Sequence, residues 1–290
     1  MHRFFLFFLV ICSCSSNLDG EYTVEDDLGR IVQLPAKVER IAPLAPSITE
    51  LLFAAGAGSK VVGVSTVDNF PPAIDSLPRY SLIPMDFEAI VALDLDLVVA
   101  SEQVNNPKDA DTFSAVGIPV YFVAIKTMED VSRAIRNLGT LLHTPEFAEQ
   151  RATELEDSLS QLASLTTGLT QRPDVLFLIE LATLYAFGKE SYIHDMIDLA
   201  GGKSITGDFS IRFPVLTDEF VLTSMPDVIV GTFEGSTLPE YHPTWDIIPA
   251  VQADRVYELD SGFYLRPGPR LIRGAWDLAE ILHPEIISDQ

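Results

Sequence analysis

The sequence predicts an α/β protein of two Rossmann-like lobes, each with a parallel sheet, joined by a single long interlobe helix and separated by a ligand cleft. Three observations predict this fold class. Short apolar runs alternate with helical patterns through most of the 290 residues. One long helical pattern interrupts this alternation near the middle of the chain. The segments on either side of it share a residue pattern, which indicates two similar halves.

The first half shows the alternation that is typical of a parallel sheet. Helical patterns that begin at Ser47, Asp86 and Met128 lie among short apolar runs. Strands that alternate with helices form βαβ units, in which the strands are parallel. The predicted strands are Val38–Ala45, Val61–Ser65, Leu95–Ser101 and Val120–Ile125.

A single helix is predicted between the two sets of strands. Thr144 can cap it, and Pro145 fits its first turn, where the missing N–H group costs nothing. At a rise of 1.5 Å per residue, a helix over residues 144–165 is roughly 33 Å long, so we expect a stiff connection. Its apolar residues recur at steps of four and three, on one helical face. They are Ala148, Ala152, Leu155, Leu159 and Leu162.

The second half repeats the alternation, with helical patterns at Lys189–Ala200 and Thr217–Ser224. Two related α/β lobes joined by one helix enclose a cleft, and ligands of open α/β sheets lie beyond the carboxyl ends of the strands. We therefore expect the ligand site between the lobes. The predicted strands are Val175–Leu181, Leu184–Phe187, Val228–Thr232 and Val256–Leu259.

A shared spacing relates the two halves to each other. Glu88 is followed eight residues later by Asp96, and Glu219 is followed eight residues later by Asp227. Each Asp begins an apolar strand, and each Glu lies in the first turn of a predicted helix. The pattern predicts that the two glutamates hold equivalent positions in the two lobes.

The first 13 residues are predicted to be a secretory signal peptide. Arg3 precedes the apolar run Phe4–Ile11, which is far shorter than the roughly 20 residues that span a bilayer. Ile11-Cys12-Ser13-Cys14 resembles a bacterial lipobox, which makes Cys14 the expected lipidated N-terminus. An ordinary cleaved signal with an incidental Cys is the alternative. One acyl anchor tethers a protein to a membrane without inserting its body.

These patterns divide the chain into five segments. Residues 1–13 form the signal peptide, 14–21 a tether, 22–143 the N-terminal α/β lobe, 144–166 the linker helix and 167–290 the C-terminal α/β lobe. Removal of the signal leaves one Cys, so no disulfide is expected within the chain.

The charge balance argues against one class of partner. The formal net charge is −23 at pH 7. Phosphate backbones require clustered Lys and Arg, so we expect no nucleic-acid partner. The same charge disfavours docking on an anionic membrane surface through basic patches. It fits a solvated, self-repelling surface, and a monomer is expected.

Several stretches, taken together in their order and spacing, carry a family resemblance. They are Pro46-Ser-Ile-Thr-Glu50 with Ala54-Ala-Gly56, Val62-Gly-Val-Ser65 with Pro71-Pro72, Phe87-Glu-Ala-Ile-Val-Ala-Leu93, Gly188-Lys-Glu-Ser191 with Gly201-Gly202, and Arg266-Pro-Gly-Pro-Arg270. The chain resembles the class III periplasmic binding proteins, which carry cobalamin, ferric siderophores and haem. It is most similar to the cobalamin-binding proteins of ABC importers, over roughly residues 22–288.

The resemblance implies a lipid-anchored extracytoplasmic protein, not an enzyme. It implies delivery of a small-molecule ligand to the membrane permease subunits of an ABC transporter, which work with a cytoplasmic ATPase. No cofactor is expected, because cobalamin is then the transported ligand. A lipoprotein enzyme or assembly factor on the same fold is the alternative from a different class.

Loops at the strand ends carry the candidate ligand-binding residues. Ser47 and Glu50 form the S-x-x-E pattern of a capping box, so Ser47 either holds a polar ligand edge or only caps the helix. Aromatic faces suit a flat macrocycle, since each buries a large area with few rotors to freeze; core or surface packing is the alternative. The resemblance implies ligand contacts at Tyr185 and Phe263–Tyr264. The full set is Ser47, Asp68, Phe70, Tyr185, Arg212, Phe213, Trp245, Phe263 and Tyr264.

The ligand itself stays open at this point. Residues Ser81–Met85 lack the Trp that similar cobalamin-binding proteins have there, and also the Tyr-rich, Arg-containing loop of the haem-binding branch. Arg212 is able to meet a carboxylate or catecholate, which favours a siderophore. We expect cobalamin or a related corrinoid first, with a ferric siderophore or haem as the alternative.

Glu88 and Glu219 are the candidate docking residues. In similar proteins, one Glu on the upper surface of each lobe docks with Arg residues of the membrane subunits. The alternative is purely local, since a negative charge in the first turn of a helix is favoured by about 0.3–1 kcal/mol.

Other chemistries find little support in the sequence. No G-x-S-x-G elbow of an α/β-hydrolase occurs. Gly202-Lys203-Ser204 resembles the end of a phosphate loop, but Ile197 stands where the first Gly is required. His194 and Asp198 lie four residues apart on a helix and are able to share a metal ion, although a solvated helix face is the simpler interpretation. No metal site is therefore predicted, and a zinc or manganese receptor of similar shape is a minor alternative.

Overall fold

A computed structural model describes residues 20–233 and 238–287 of the chain. The predicted signal peptide, the predicted lipidation site Cys14 and residues 14–19 of the predicted tether lie outside this range. Within the described residues, no helix has the length and apolar character that crossing a membrane requires.

The N-terminal half contains a three-stranded parallel sheet. The strands of this half are β1 (Tyr22–Glu25), β2 (Ile31–Leu34), β3 (Ile41–Pro43), β4 (Val64–Ser65), β5 (Arg79–Tyr80), β6 (Leu97–Ser101) and β7 (Val120–Val123). Its helices are α1 (Pro46–Ala54), α2 (Phe87–Val91), α3 (Pro107–Ser114) and α4 (Glu129–Leu141), with 3₁₀ turns at Gly58–Lys60 and Pro72–Ile74. The sheet has the order β3-β6-β7, with Ile41 opposite Leu97 and Val98 opposite Val120. A parallel pair, β4-β5, and an antiparallel hairpin, β1-β2, complete this half.

Helix α5 (Pro145–Thr166) runs between the two halves. The five apolar residues predicted to form its stripe are all buried. Thr144 occupies the N-cap position, but its hydroxyl donates to the carbonyl oxygen of Ala55 at 2.6 Å and makes no bond to the first N–H groups of the helix. The prediction that the Thr144 side chain caps α5 is therefore wrong. Its hydroxyl instead ties the start of α5 to the end of α1.

The C-terminal half contains a four-stranded parallel sheet. Its strands are β8 (Asp174–Leu178), β9 (Lys203–Ser204), β10 (Val228–Gly231) and β11 (Val256–Glu258), and its helices are α6 (Tyr192–Leu199), α7 (Asp218–Ser224), α8 (Leu238–Tyr241), α9 (Pro249–Gln252), α10 (Ser261–Tyr264), α11 (Leu271–Leu282) and α12 (Pro284–Ile287), with a 3₁₀ turn at Pro243–Ile247. The order along the sheet is β11-β10-β8-β9. Ile229 lies opposite both Leu176 and Val256.

One predicted strand of the second half, at Leu184–Phe187, does not join a sheet. In the described part of the chain, isolated antiparallel bridges pair Ala186 with Leu178 and Tyr185 with Val215. The prediction of a strand there is wrong, because the apolar residues of this segment pack in the core without a continuous ladder.

The two halves confirm the predicted fold class of parallel sheets with helices, joined by one long helix. Strands β6, β7 and β10 are buried along their whole length, as expected for parallel strands that are covered on both faces. One hydrophobic cluster runs from Ile135 in α4 through Leu162 in α5 to Ile193 and Leu278 in the C-terminal half. The long helix is thus part of a core that both lobes share. The segment boundaries drawn above stay predictions.

Candidate ligand-binding site

The ends of the strands in the first sheet meet residues of the second lobe. Strand β6 ends at Ser101, and the next residue, Glu102, accepts a hydrogen bond from Arg212 at 2.8 Å. Helix α1 follows β3 and carries Glu50, which binds Arg270. Ligands of open α/β sheets lie beyond the carboxyl ends of the strands. The boundary between the lobes at these two contacts is therefore the candidate site.

The ion pair between Glu50 and Arg270 is buried and bidentate. Arg270 donates from Nε to Oε2 at 2.9 Å and from Nη2 to Oε1 at 2.6 Å, the parallel geometry that suits the guanidinium fork. The Glu50 side chain is only 2% exposed. This burial raises the pKa of the Glu50 carboxyl, while the nearby charges of Arg270 and Arg266 act to lower it. Each charge of the pair thus depends on the other lobe for its partner.

Two aromatic residues from opposite lobes flank the same guanidinium. The Arg270 Cζ atom lies 4.7 Å from the ring centroid of Phe70 and 5.4 Å from that of Phe263. Both distances are within the range of a cation–π contact. A cavity of about 320 Å³ beside this stack has Phe70 and Arg270 in its lining. The structure therefore brings together two predicted ligand contacts, Phe70 and Phe263, at one end of the lobe boundary.

A second arginine of the C-terminal half, Arg266, holds the loop of residues 67–69 in the N-terminal half. Arg266 donates to the side-chain oxygen of Asn69 and, at 3.2 Å, to the carbonyl oxygen of Val67. Asp68 in this loop accepts from the backbone N–H of Ser65 at 2.9 Å through Oδ2. Its Oδ1 is buried and has no hydrogen-bond partner among the described residues.

Ser47 does not form the predicted capping box. Helix α1 begins at Pro46 with Ala45 as its N-cap, and no side chain bonds to its first N–H groups. Ser47 is buried within the first turn, and Glu50 binds Arg270 instead of reaching back to the start of the helix. The capping prediction is wrong because a charged partner from the other lobe holds the carboxylate more strongly than a backbone N–H does.

The pair of Glu102 and Arg212 lies at another point of the boundary, with side chains 21% and 23% exposed. Beside Arg212, Phe213 is 39% exposed, and its ring meets that of Phe187 edge-on with centroids 5.5 Å apart. Tyr185, which is 41% exposed, lies on a segment bridged to the one that carries Phe213. Exposed aromatic surface from the C-terminal half therefore lies close to this cross-lobe pair.

Two predicted ligand contacts lie in the core of the C-terminal half instead. Trp245 is 1% exposed, stacks on His242 with centroids 4.2 Å apart, and donates from Nε1 to Asp218 at 2.7 Å. Tyr264 is equally buried, and this burial raises the pKa of its hydroxyl. Neither side chain presents a surface to a solute in this structure. We therefore assign Trp245 and Tyr264 to the core rather than to the ligand site.

Glu88 and Glu219 occupy the same position in two short helices. Each is the second residue of its helix, α2 or α7, and each is exposed. The N-cap side chains of Asp86 and Thr217 accept from the backbone N–H three residues later, at 3.0 and 3.2 Å. Each helix is followed by a buried parallel strand, β6 or β10. The two carboxylates are thus equivalent in local structure.

A cavity of about 440 Å³ lies away from this boundary, among residues that include His194 and Asp198. Its walls carry Asp174 and Lys203, the first residues of β8 and β9, so it lies at the amino ends of strands. Asp198 accepts from Arg172 at 2.7 Å. The described residues contain no group of three or more His, Cys, Asp or Glu side chains placed to hold a metal ion. We therefore place the ligand site at the lobe boundary and not in this cavity.

Sequence reasoning misses the residues that join the lobes. Glu102, Arg266 and Arg270 are absent from the predicted site, and Glu50 enters the prediction only as a cap. The stretch Arg266–Arg270 carries part of the family resemblance, which is the one available signal for its two arginines. The partners of Arg212 and Arg270 are not readable from the sequence, because these ion-paired residues lie 110 and 220 positions apart.

Two α/β lobes that meet along a boundary lined by loops, and that share one long helix, define a bilobed binding protein. Residues 41–262 match the family of periplasmic binding proteins, and the chain belongs to that family. The uncharacterized ABC transporter substrate-binding lipoprotein YvrC of Bacillus subtilis is 28% identical over 276 residues, covering 92% of this chain and 87% of that protein.

Solved structures agree with this assignment. The periplasmic vitamin B12 binding protein BtuF of Vibrio cholerae aligns with a TM-score of 0.74 and 25% identity, over 87% of this chain and 99% of that one. The periplasmic heme-binding protein RhuT from Roseiflexus sp. RS-1 aligns with a TM-score of 0.73 and 28% identity, over 85% of this chain and 98% of that one. These likenesses confirm the resemblance inferred from the sequence.

Proposed function

We propose that this chain is an extracytoplasmic, lipid-anchored solute-binding protein that captures cobalamin or a related corrinoid for an ABC importer. Membership of the periplasmic binding proteins supports the transport role, and the likeness to a vitamin B12 binding protein supports the ligand. One structural observation carries the proposal. Phe70 and Phe263, from opposite lobes, meet at a single guanidinium, so aromatic faces from both halves border one site.

The proposed site uses seven residues. The aromatic side chains offer faces to a planar macrocycle, because each buries a large area with few rotors to freeze. No cofactor is required, since the macrocycle is cargo. The residues are Ser47, Asp68, Phe70, Tyr185, Arg212, Phe213 and Phe263.

Calorimetric titration of the detergent-solubilised full-length protein tests the ligand. We expect saturable one-to-one binding of cyanocobalamin, tighter than that of a ferric hydroxamate or of haem. Tyr185→Ala should weaken binding and leave the melting temperature near that of the parent, because this side chain is partly exposed. If haem or the hydroxamate saturates the protein while cyanocobalamin gives no heat, the corrinoid is the wrong ligand. The ligand class is then the one that saturates the protein.

We further propose that Glu88 and Glu219 dock with arginines on the two membrane subunits of the transporter. Equivalent helix positions in the two lobes would present one carboxylate to each subunit. Among the described residues, neither side chain has a hydrogen bond or ion pair within the chain, so both are free to meet a partner. Charge pairs at the rim of an interface mainly steer the encounter and fix the register.

Uptake by reconstituted vesicles tests docking separately from capture. Changing both Glu88 and Glu219 to Gln removes only the charges, so we expect unchanged ligand affinity and strongly reduced uptake. The matched control changes Glu129 and Glu146 to Gln, because these are exposed glutamates in the first turns of α4 and α5. Equal uptake by the docking variant and the control would reduce Glu88 and Glu219 to helix-terminus electrostatics.

The lipid anchor is proposed at Cys14. Cys14→Ser should leave the signal uncut or release a protein without acyl groups, because the modification requires the thiol. Detergent partitioning and intact mass report both outcomes. Identical partitioning and mass for the variant and the parent would show that Cys14 carries no lipid.

A further inference from the structure

Each arginine of the C-terminal half that contacts the N-terminal half already has an acceptor there. Arg270 is bound by both oxygens of Glu50, and Arg212 by one oxygen of Glu102. Arg266 donates to the loop before Pro71 and lies 3.9 Å from Glu50. These three side chains bring positive charge to the lobe boundary, and carboxylates of the opposite lobe neutralise two of them directly.

This arrangement has a consequence for the charge of the ligand. An anionic ligand group that approaches Arg212 must displace Glu102, which then remains partly buried without its partner. Separation of a partly buried charge pair is unfavourable because the remaining charge keeps its desolvation penalty. The net charge of −23 adds a long-range repulsion of anions. The unpaired Oδ1 of Asp68 is a further acceptor and not a donor.

The two cross-lobe pairs differ in how accessible they are. Glu50 is only 2% exposed under Arg270, so its carboxylate is out of reach of a solute. Glu102 and Arg212 each keep about a fifth of their side chains exposed, and partly exposed Phe213 follows Arg212 directly. Of the two carboxylates, Glu102 is thus the one that a bound ligand is able to meet.

We infer that Glu102 determines the ligand class: by neutralising Arg212 across the boundary, it selects a macrocycle without net charge and rejects those that carry carboxylates or catecholates. The inference rests on the proposed function in that it places the solute between the lobes. It is an instance of specificity through an unfavourable contact with the wrong ligand. It also assigns Arg212 to an internal ion pair rather than to an anionic ligand.

Two flat macrocycles of different charge test the inference. Cyanocobalamin carries no net charge, whereas haemin carries two carboxylates. We expect Glu102→Gln to raise the affinity for haemin at least tenfold over the parent in absorbance titrations of the full-length protein, because Arg212 is then released. The gain should shrink at high salt, since partly exposed charges are screened. Combining Glu102→Gln with Arg212→Gln should abolish it.

Two control variants separate this effect from charge and folding. Glu149→Gln removes the same charge from an exposed pair with Arg136 on α4 and α5, 2.8 Å apart, and should leave the affinity for haemin at the parent value. Glu102→Asp keeps the carboxylate and should bind haemin as weakly as the parent does. Melting temperatures of all variants show whether the fold is intact.

The outcomes distinguish this inference from the proposed function. A tenfold gain for haemin in Glu102→Gln, in a protein whose parent ignores cyanocobalamin, would retain the inference and reject the corrinoid. If the parent binds cyanocobalamin but Glu102→Gln gains no affinity for haemin, the corrinoid is retained and the inference about Glu102 is rejected. A gain equal to that of Glu149→Gln would also overturn the inference, because total charge alone would then explain it. Absence of binding by every variant to both macrocycles would reject both.

Discussion

The two lobes agree in their folding units and differ in the charges that they bring to their common boundary. Helices α2 and α7 have the same N-terminal turn, with a capping side chain, an exposed Glu at the second position and a buried strand to follow. In the two ion pairs across the boundary, the N-terminal lobe supplies the carboxylates Glu50 and Glu102, and the C-terminal lobe supplies the arginines.

This difference shows that a repeated fold need not repeat its contacts. Local turns recur because they depend on a few neighbouring residues. Two copies of one surface that both carried carboxylates would repel each other across a boundary of low dielectric. Opposite charges on the two lobes satisfy each other instead. The boundary is therefore where the halves diverge, and three sets of substitutions test this comparison.

Arg270→Met should have the largest effect, since it removes the partner of a buried carboxylate. We expect a loss of about 3–5 kcal/mol in the free energy of unfolding at pH 7, the usual result of breaking a buried pair from one side. Denaturant unfolding of the full-length protein measures it. Arg273→Met is the matched control, because its pair with Asp277 lies on helix α11, just after Arg270, and the Arg273 side chain is 69% exposed. It should lose less than about 1 kcal/mol.

The stability of the Arg270→Met variant should depend on pH in a defined direction. Burial already raises the pKa of Glu50 in the parent, and loss of the guanidinium raises it further. Between the unfolded and the folded pKa, the native state binds more protons than the unfolded chain, so stability falls as the pH rises through this window. The deficit of Arg270→Met against the parent should therefore narrow towards acid pH. A constant deficit would show that Glu50 is not the group left unpaired.

Trp245→Phe should have an intermediate effect, confined to the C-terminal lobe. It removes the bond from Nε1 to Asp218 and leaves a gap beside His242, for which we expect a loss of about 1–3 kcal/mol. Phe213→Leu, a change on a partly exposed ring, should cost less than about 1 kcal/mol. Thermal unfolding compares the two. Equal losses would contradict the assignment of Trp245 to the core and Phe213 to the site.

Asp86→Ala and Thr217→Ala should have the smallest effects, and the two should be similar. Each removes the side chain that caps the helix carrying a proposed docking residue. Loss of such a cap costs about 1 kcal/mol. Chemical denaturation of both variants measures the two losses. A loss that is several times larger in one lobe would show that the two turns are not equivalent in energy.

The sequence pattern predicts the buried inner strands of both sheets, but it misses β9, the two-residue edge strand of the second sheet. Buried strands such as β6 and β10 stand out as continuous apolar runs, and α5 stands out by its stripe at steps of three and four. The hairpin of β1 and β2 and the helix α3 were not predicted, because their short, half-exposed segments resemble loops. The error at Leu184–Phe187 has the opposite cause, since a buried loop segment has the apolar composition of a strand.

In the candidate site, too, the sequence predicts features that depend on nearby residues and misses contacts between distant ones. Phe70 and Phe263 are predicted from their place in strand-end loops, which sequence order defines, and the structure brings both rings to one guanidinium. Trp245 was misplaced by the same rule, because composition does not say which side of a loop faces the core. The spacing of Glu50 from Ser47 predicts a cap, because it is a local pattern. Its actual partner, Arg270, lies 220 positions away and leaves no local pattern.

By itself, the sequence determined the α/β class, the long helix between two similar halves, and the equivalent turns at Glu88 and Glu219. All of these depend on interactions between residues close in the chain, so a short window of sequence contains them. Only the tertiary structure decided that Arg270 pairs with Glu50, that Arg212 pairs with Glu102, and that Trp245 is buried. The physical reason is that charge pairing and burial are settled by which surfaces meet when the lobes fold, across 110 and 220 residues of chain.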